Sequence, residues 1–411
     1  MSTSNITENS HWKSKIIRFL TAQIISLFGS SLVQYAIIWH ITLTTSSGSM
    51  MTIATVCGFL PQIAISLFAG VWIDRYNRKL MIMLADGMIA AATLLLAVLF
   101  LMGYQSVWLL FAILLVRSAG TGIQAPAVNA IIPQLVPKEK LMKVSGIHST
   151  LTSLMMFLSP AVSGAILSVS NISATLFIDV ITALIGIGIM LTLSVPTLAM
   201  AKPSQNSYLH DIHMGFDYLK QNPFVRQLLL FLVSVAILVS PSAFLTPLMV
   251  SRSFGAEVWR LTASEMVFSA GAALGGVLIA TWGGFRNRMH TTTLAGLCYG
   301  VFMILLGVAP AFLVYLIFNF LIGVTMPCYS APITVLIQER VEPQMHGRVF
   351  SLLQVANSCS LPLGMVIFGP MADFITVNTL LLCAGTAVVI CSACAFLFWR
   401  RQNSGSITQS L

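Results

Sequence analysis

The sequence predicts an all-α integral membrane protein in which 12 transmembrane helices form two six-helix, pseudo-symmetric bundles. Three observations lead there. The 411-residue chain is 57% hydrophobic and only 8% charged, against roughly a quarter charged in ordinary soluble domains, which excludes a soluble globule. Apolar stretches of about 20 residues recur along its whole length, the length a helix needs to cross roughly 30 Å of hydrocarbon. They are continuously apolar rather than alternating, so they fit helices and not the strands of an outer-membrane barrel. The third observation is a repeat that divides the chain in half, described below.

Charged or turn-rich breaks place the spans at about 17–41, 51–73, 80–102, 107–130, 144–168, 172–194, 226–250, 261–282, 289–309, 311–334, 347–370 and 376–399. Lys13, Lys15 and Arg18 flank the start of an apolar run from Ile16 to about Leu43. That run is too long for the core of a cleaved signal, so the first helix is expected to stay. The connectors alternate: Thr44 to Met50, Gly103 to Ser106 and Val169 to Ser173 carry no lysine or arginine, and those between them carry clusters. The positive-inside rule then puts both termini in the cytoplasm. Of the 21 lysines and arginines, 18 fall on the inner side; Arg252 and Arg260 fall outside and Arg117 lies within span four. Topology thus accounts for the net charge of +9, and no nucleic-acid partner is needed to explain it.

The longest connector separates spans six and seven and divides the chain into a first bundle at 1–195, a linker at 196–225 and a second bundle at 226–411. Within the linker Leu209, Ile212, Phe216 and Leu219 recur at helical spacing, which predicts an amphipathic helix on the inner interface. His210 and His213 have no further ligand nearby and read as solvated linker histidines. Across the linker, GTGIQAPAVNAIIPQLVP in span four is echoed by TMPCYSAPITVLIQERVEP in span ten. Pro126 and Pro332 are 206 residues apart, as are Pro137 and Pro343. Two parallel six-span repeats are the architecture of alternating-access transporters, with the substrate site near the midplane between the halves.

Other classes are disfavoured. All seven cysteines (Cys57, Cys298, Cys328, Cys359, Cys383, Cys391 and Cys394) sit in apolar runs, where they read as small hydrophobes; no metal site follows. The chain has no H-E-x-x-H and no G-x-S-x-G, so no enzyme is indicated. It also lacks G-x-x-x-x-G-K-[ST] and has no soluble stretch long enough to bind ATP. A membrane sensor is the non-transport alternative, and for it the two-half repeat would be surplus.

The stretch GVWIDRYNRKL between spans two and three carries Gly70, Asp74, Arg75, Arg78 and Lys79. It resembles the signature loop of the major facilitator superfamily. Over the full length the similarity is to the Mef-type macrolide-efflux proteins of bacteria, through VRSAGTGIQAPAVNAIIPQLVP, SEMVFSAGAALGG and GRVFSL. The resemblance implies a bacterial cytoplasmic-membrane drug:proton antiporter that works as a monomer, with a proton gradient and no cofactor. Span five departs from the G-P-x-x-G-G of drug antiporters: Ser159, Pro160, Ser163 and Gly164 keep the small residues and the proline for close packing.

The charged residues carry separate expectations. Asp74 ends span two and Arg78 and Lys79 open span three, each disfavoured by the dipole of its own helix. Orientation by the positive-inside rule explains the bases but not the acid. Two partners are open for Asp74: Arg78, or, as the resemblance implies, the start of span eleven near Gln344 to Gly347, clasping the halves. Asp86 reads as a brace for this loop. Arg117 lies near the middle of span four, where an unpaired arginine costs at least about 2.5 kcal/mol; it is either a proton-coupling residue, as the resemblance implies, or half of an internal ion pair. Glu265 in span eight and Asp179 in span six are the acids that answer it, with Glu265 preferred because spans three, six, nine and twelve are peripheral in the superfamily. Asp373, after Gly369 and Pro370, is expected to be solvated.

The candidates for the substrate cavity are Gln23, Gln34, Tyr35 and Trp39 in span one, Gln124 and Asn129 in span four, Phe244 in span seven, and Asn319, Met326 and Tyr329 in span ten. His40 reads as interfacial. A large apolar surface with few polar groups suits an amphipathic molecule. The expected function is secondary efflux of macrolide-like or other amphipathic drugs, with lipid and protons as the other partners. The alternative is export of tetracycline, a siderophore or a lipid.

Overall fold

Helix starts in this chain are written by asparagine. The side chains of Asn77, Asn171, Asn222 and Asn287 each accept a hydrogen bond from a backbone N–H of the helix that follows, satisfying a donor that the first turn leaves open. Asn77 and Asn287 stand 210 residues apart, one in each copy of the signature loop, so the repeat preserves the cap as well as the bases.

The computed structural model describes the backbone of residues 3–195, 218–342 and 345–408. Side chains are described from Trp12 to Trp399 within those stretches, except Val71, Asp74, His346, Gly347, Arg348 and Ser351. The described residues are helical with short connectors. The first six spans are α1 (Thr3–Thr45), α2 (Gly48–Arg75), α3 (Arg78–Leu101), α4 (Val107–Leu135), α5 (Leu141–Val169) and α6 (Ile172–Leu191). Span seven is α7 (Pro223–Phe244) followed by α8 (Thr246–Ser253); the rest are α9 (Val258–Trp282), α10 (Arg288–Gly307), α11 (Phe312–Arg340), α12 (His346–Phe374) and α13 (Val377–Thr408). Among the described residues 12 helices are long and apolar enough to cross a membrane, as the sequence predicts. The break at Leu245 in span seven follows from Pro247, which cannot donate to the helix and occupies the first turn of α8, where its missing N–H costs nothing.

Two differences from the sequence reading have simple causes. Spans four and ten run on to Leu135 and Arg340, past Pro126 and Pro133 or Pro327 and Pro332, because neighbouring helices and local adjustments in a bundle compensate the hydrogen bonds a proline removes. Of the linker helix, only Tyr218 to Gln221 are described, as a helical turn whose Leu219 is buried against α7 and α11 residues. Leu209, His210, Ile212, His213 and Phe216 lie outside the described residues.

The described chain groups into two compact units. One comprises residues up to 41 and 53–195; the other comprises 42–52 and the residues from 218 onward. The hairpin between α1 and α2 therefore packs with the second unit. In the second unit α9 and α11 approach closely enough that glycine is obligatory: a Cβ on Gly271 would meet the Phe320 carbonyl oxygen at 2.2 Å, and one on Gly323 would meet that of Phe268 at 2.3 Å. Small residues at such a crossing replace a hydrophobic driving force with close backbone packing, the usual route to helix association in lipid.

Candidate functional site

In the first unit, the centre is built around Arg117. Arg117 is 5% exposed and Asp179 is fully buried. One terminal nitrogen of Arg117 donates to Asp179 Oδ2 and to Thr93 Oγ1, and the other donates to the Ser30 carbonyl at 3.1 Å. Ser30 Oγ donates to Asp179 Oδ1 at 3.2 Å, and Thr93 Oγ1 lies 3.0 Å from Oδ2. One ion pair thus ties α1, α3, α4 and α6 together. Arg117 also lines a crevice of about 240 Å³ together with Gln34, Gln62, Ser118 and Thr121. The answer to Arg117 is Asp179, which corrects the preference for Glu265. The residue on a span expected to be peripheral is the partner, because α3 and α6 pack side by side and bring Thr93 and Asp179 to the inner face of α4.

Glu265 belongs to a separate cavity of about 510 Å³ within the second unit. It lies on α9 with Ser264 and Phe268; α11 contributes Asn319, Met326 and Tyr329, α10 contributes Tyr299, and α7 contributes Ser242 and Val239. The polar neighbours are occupied with one another. Tyr315 Oη and Ser264 Oγ are 2.6 Å apart, Asn319 Nδ2 donates to the Ser264 carbonyl at 2.8 Å, and Tyr299 Oη meets Ser242 Oγ at 3.0 Å. Among the described residues the Glu265 carboxylate has no hydrogen bond or ion pair, and no lysine, arginine or histidine lines the cavity. Glu265 is a lone acid in an apolar chamber.

The signature loop explains its bases. Arg78 donates to the carbonyls of Ala130 at 2.7 Å and Ile73 at 3.4 Å, with the Gln134 side chain against the same guanidinium. Lys79 Nζ donates to the carbonyls of Leu191 at 3.0 Å and Leu193 at 2.8 Å. Cations misplaced on their own helix therefore serve the C-terminal ends of α2, α4 and α6, where free carbonyls and the dipole favour them. The second copy keeps this use, with Arg288 donating to the Gly283 carbonyl. Arg75 is exposed, and the Cβ position of Gly70 is open. The side chain of Asp74 and residues Gln344 and Gly347 lie outside the described side chains. Asp86 is buried and accepts from Gln124 Nε2 at 2.6 Å and from Ser26. It braces α3 against α4 and α1, a correction to its assignment as a brace of the loop.

The cavity candidates divide. Asn319, Met326 and Tyr329 line the large cavity and Gln34 the small crevice. Gln124 is committed to Asp86. Trp39 is 1% exposed and packs on Tyr35 with ring centroids 5.6 Å apart, and Gln23 is buried with an amide nitrogen that has no partner among the described residues. Asn129 is exposed, and Phe244 lines neither hollow. The sequence reading missed Tyr299 because it discounted span nine. In span five, Ser159, Pro160, Ser163 and Gly164 are all buried, and Ser163 Oγ donates to the Leu32 carbonyl of α1 at 3.1 Å. The serine keeps the close packing and adds a hydrogen bond that glycine cannot make.

Asp373 is exposed, as expected, and is also held by the start of α2. It accepts from the backbone N–H of Gly48 at 2.6 Å and of Ser49 at 3.0 Å and from Ser47 Oγ at 3.1 Å, so it caps the first turn of α2 from the end of α12. Arg252 stands 3.8 Å from it and donates to the Ala372 carbonyl at 2.7 Å.

A multi-pass helical protein with two hollows, one lined by the buried Arg117 and the other by the half-buried Glu265, has the form of a membrane transporter. The family model described as Major Facilitator Superfamily matches residues 19–365, and the chain belongs to that family. Macrolide efflux protein A of Streptococcus pyogenes is 32% identical over 386 residues, covering 93% of this chain and 95% of that protein. The Staphyloferrin A transporter of Staphylococcus aureus is 21% identical over 95% of this chain and 98% of its own length. Among solved structures, a POT family transporter in complex with a thioalcohol-conjugated peptide superposes with a TM-score of 0.74 at 12% identity, covering 94% of this chain and 96% of that one. That likeness bears on the fold alone.

Proposed function

We propose that the protein exports macrolide-like or other amphipathic drugs across the bacterial cytoplasmic membrane in exchange for protons, by alternating access of its two halves and with both termini inside. The observation that carries the reading is Glu265, an acid without a partner among the described residues in a mainly apolar cavity. Such a group is costly to keep as a bare charge, and relieving that cost by taking up a proton is the elementary step of proton exchange. The likeness to Macrolide efflux protein A supports the substrate class. Arg117 and Asp179 serve as the brace of the first bundle, since each already has its counter-charge. No cofactor is required, and a monomer contains all the groups invoked.

The test is efflux of a radiolabelled macrolide from energised cells with and without a protonophore. Export that stops when the gradient collapses is expected; export that persists removes the proton coupling. The likeness to the Staphyloferrin A transporter favours a second reading, export of a siderophore. Growth protection by a panel of macrolides, with none by siderophore loading, decides against it.

A further inference from the structure

We infer that the first unit keeps a proton of its own, held at Asp86 where α1, α3 and α4 meet, and that losing it at alkaline pH loosens the tie centred on Arg117. The inference goes beyond the export reading and does not depend on it.

Position is the first ground. Asp86 is seven residues before Thr93 on α3, Gln124 is seven after Arg117 on α4, Gly186 is seven after Asp179 on α6, and Ser26 is four before Ser30 on α1. At 3.6 residues per turn these intervals are about two turns and about one, so each residue stays on the face that builds the Arg117 centre. A second polar layer therefore lies beneath that centre, toward the Arg78 end of α3. In it Asp86, 3% exposed, accepts hydrogen bonds from Gln124 Nε2 at 2.6 Å and from the Ser26 hydroxyl. On α6 the layer is closed by glycine: a Cβ on Gly186 would meet the Ala22 carbonyl oxygen at 3.0 Å and Ser26 Cβ at 3.3 Å. That helix has no base to offer Asp86.

Charge is the second ground. The two layers hold two buried acids, Asp86 and Asp179, and one buried base, Arg117. Arg117 gives its contacts to Asp179, Thr93 and the Ser30 carbonyl. Asp86 has no ion pair among the described residues and lies within electrostatic reach of the Asp179 carboxylate. Arg117 and Asp179 are the only charged residues of α4 and α6, and on α1 the nearest charge to Ser26 is the exposed Arg18, about two turns away. Arg78 and Lys79, about two turns from Asp86 at the start of α3, donate to the carbonyls of Ala130, Leu191 and Leu193, and His40 packs on Phe100 near the far end. Two acids that share one base in a low-dielectric interior retain a proton between them, because a second full charge has nothing to balance it. Asp179 touches the base, so the proton falls to Asp86. The neutral acid keeps both neighbours: the Gln124 amide, turned over, offers its oxygen to the carboxyl proton, and the Ser26 hydroxyl serves the other oxygen. A divalent metal would need several oxygen ligands, and among the described residues no three acids, histidines or cysteines are grouped to hold one. The repeat marks the acid as a specialisation. Asp86 and Gly296 stand at the 210-residue offset that relates Asn77 to Asn287 and Arg78 to Arg288, so the same turn of the second copy is built without a charge. Once ionised, Asp86 repels Asp179 and competes with it for Arg117, the group that joins α1, α3, α4 and α6.

The test uses the purified full-length protein in lipid nanodiscs. In a Glu265→Gln variant, which removes the acid of the second unit's cavity, the infrared carbonyl-stretch band of a protonated carboxyl group should remain at about pH 7, where an ordinary aspartate is ionised. Adding Asp86→Asn should abolish that band. A fold that binds a proton which the unfolded chain releases loses stability as pH rises. The melting temperature of wild type should therefore fall by about 3 °C or more between about pH 6 and about pH 9. That of Asp86→Asn should fall by less, leaving the variant the more stable of the two at the alkaline end. Absence of the band from the Glu265→Gln protein overturns the inference, and so does a band that survives Asp86→Asn. Melting temperatures of wild type and Asp86→Asn that shift in parallel with pH overturn the switch. An Asp86→Asn protein that does not fold at any pH also contradicts it, because asparagine keeps the size and the hydrogen bonds of the neutral acid. No arm reads drug export, so failure of the export reading leaves these outcomes as they stand.

Discussion

Asp179 and Glu265 are both acids within membrane-spanning helices, and the chain treats them in opposite ways. Asp179 is sealed among an arginine, a threonine and a serine drawn from three other helices. Glu265 stands at a hollow whose nearby hydroxyls are bonded to one another. An acid with its charge fully answered is a structural part, because moving it exposes an arginine. An acid with no answer is chemically available. The difference lies in the helices' neighbours and not in the residue type, which is why two carboxylates of similar sequence context have separate roles.

The comparison breaks most visibly at the first unit. Arg117→Ala leaves Asp179 buried without its partner and should destabilise the fold by about 3–5 kcal/mol. The expected outcome is a large loss of membrane-inserted protein and of thermal stability in detergent. Replacing both partners, as Arg117→Met with Asp179→Leu, should restore most of that stability, since a well-packed apolar pair often equals a buried ion pair. A double variant as unstable as the single one would show that the pair is more than a brace.

Smaller effects sharpen the contrast. Asp373→Ala removes the cap of α2 and should cost about 1 kcal/mol, read as a modest fall in melting temperature. Lys79→Ala strips a cation from the carbonyl end of α6 and should cost about 0.5 kcal/mol, an effect that shrinks in high salt. Glu265→Gln should be the least damaging to stability, neutral or slightly stabilising, because it removes a charge that no described residue answers.

Much of this was legible in the sequence, and what was not has physical causes. Apolar length gave the spans, and the paired prolines and signature loops gave the two halves. Arg117 announced itself because an arginine in mid-membrane demands an explanation. Its partner did not, since hydropathy reports how deep a residue lies but not which way its helix face turns. That same blindness assigned Asp86 to the signature loop and Trp39 to a cavity, when packing had committed one to Gln124 and buried the other against Tyr35. Asn319, Met326 and Tyr329 were legible as a cluster because one helix carries them at near-helical spacing. Tyr299 was not, because it reaches the same hollow from a helix that a general topological expectation had set aside. The capping role of exposed Asp373 was not legible because its partners are backbone N–H groups of Gly48 and Ser49, which no residue pattern displays.

The central claim is that the acid left unanswered, and not the one held in the ion pair, does the work of transport. The most direct measurement is proton-gradient-driven efflux of a radiolabelled macrolide by Glu265→Gln, normalised to the amount of folded protein in the membrane. Wild-type levels of folded protein with efflux reduced to that of cells lacking the transporter would bear the claim out. Efflux at the wild-type rate by that variant would contradict it.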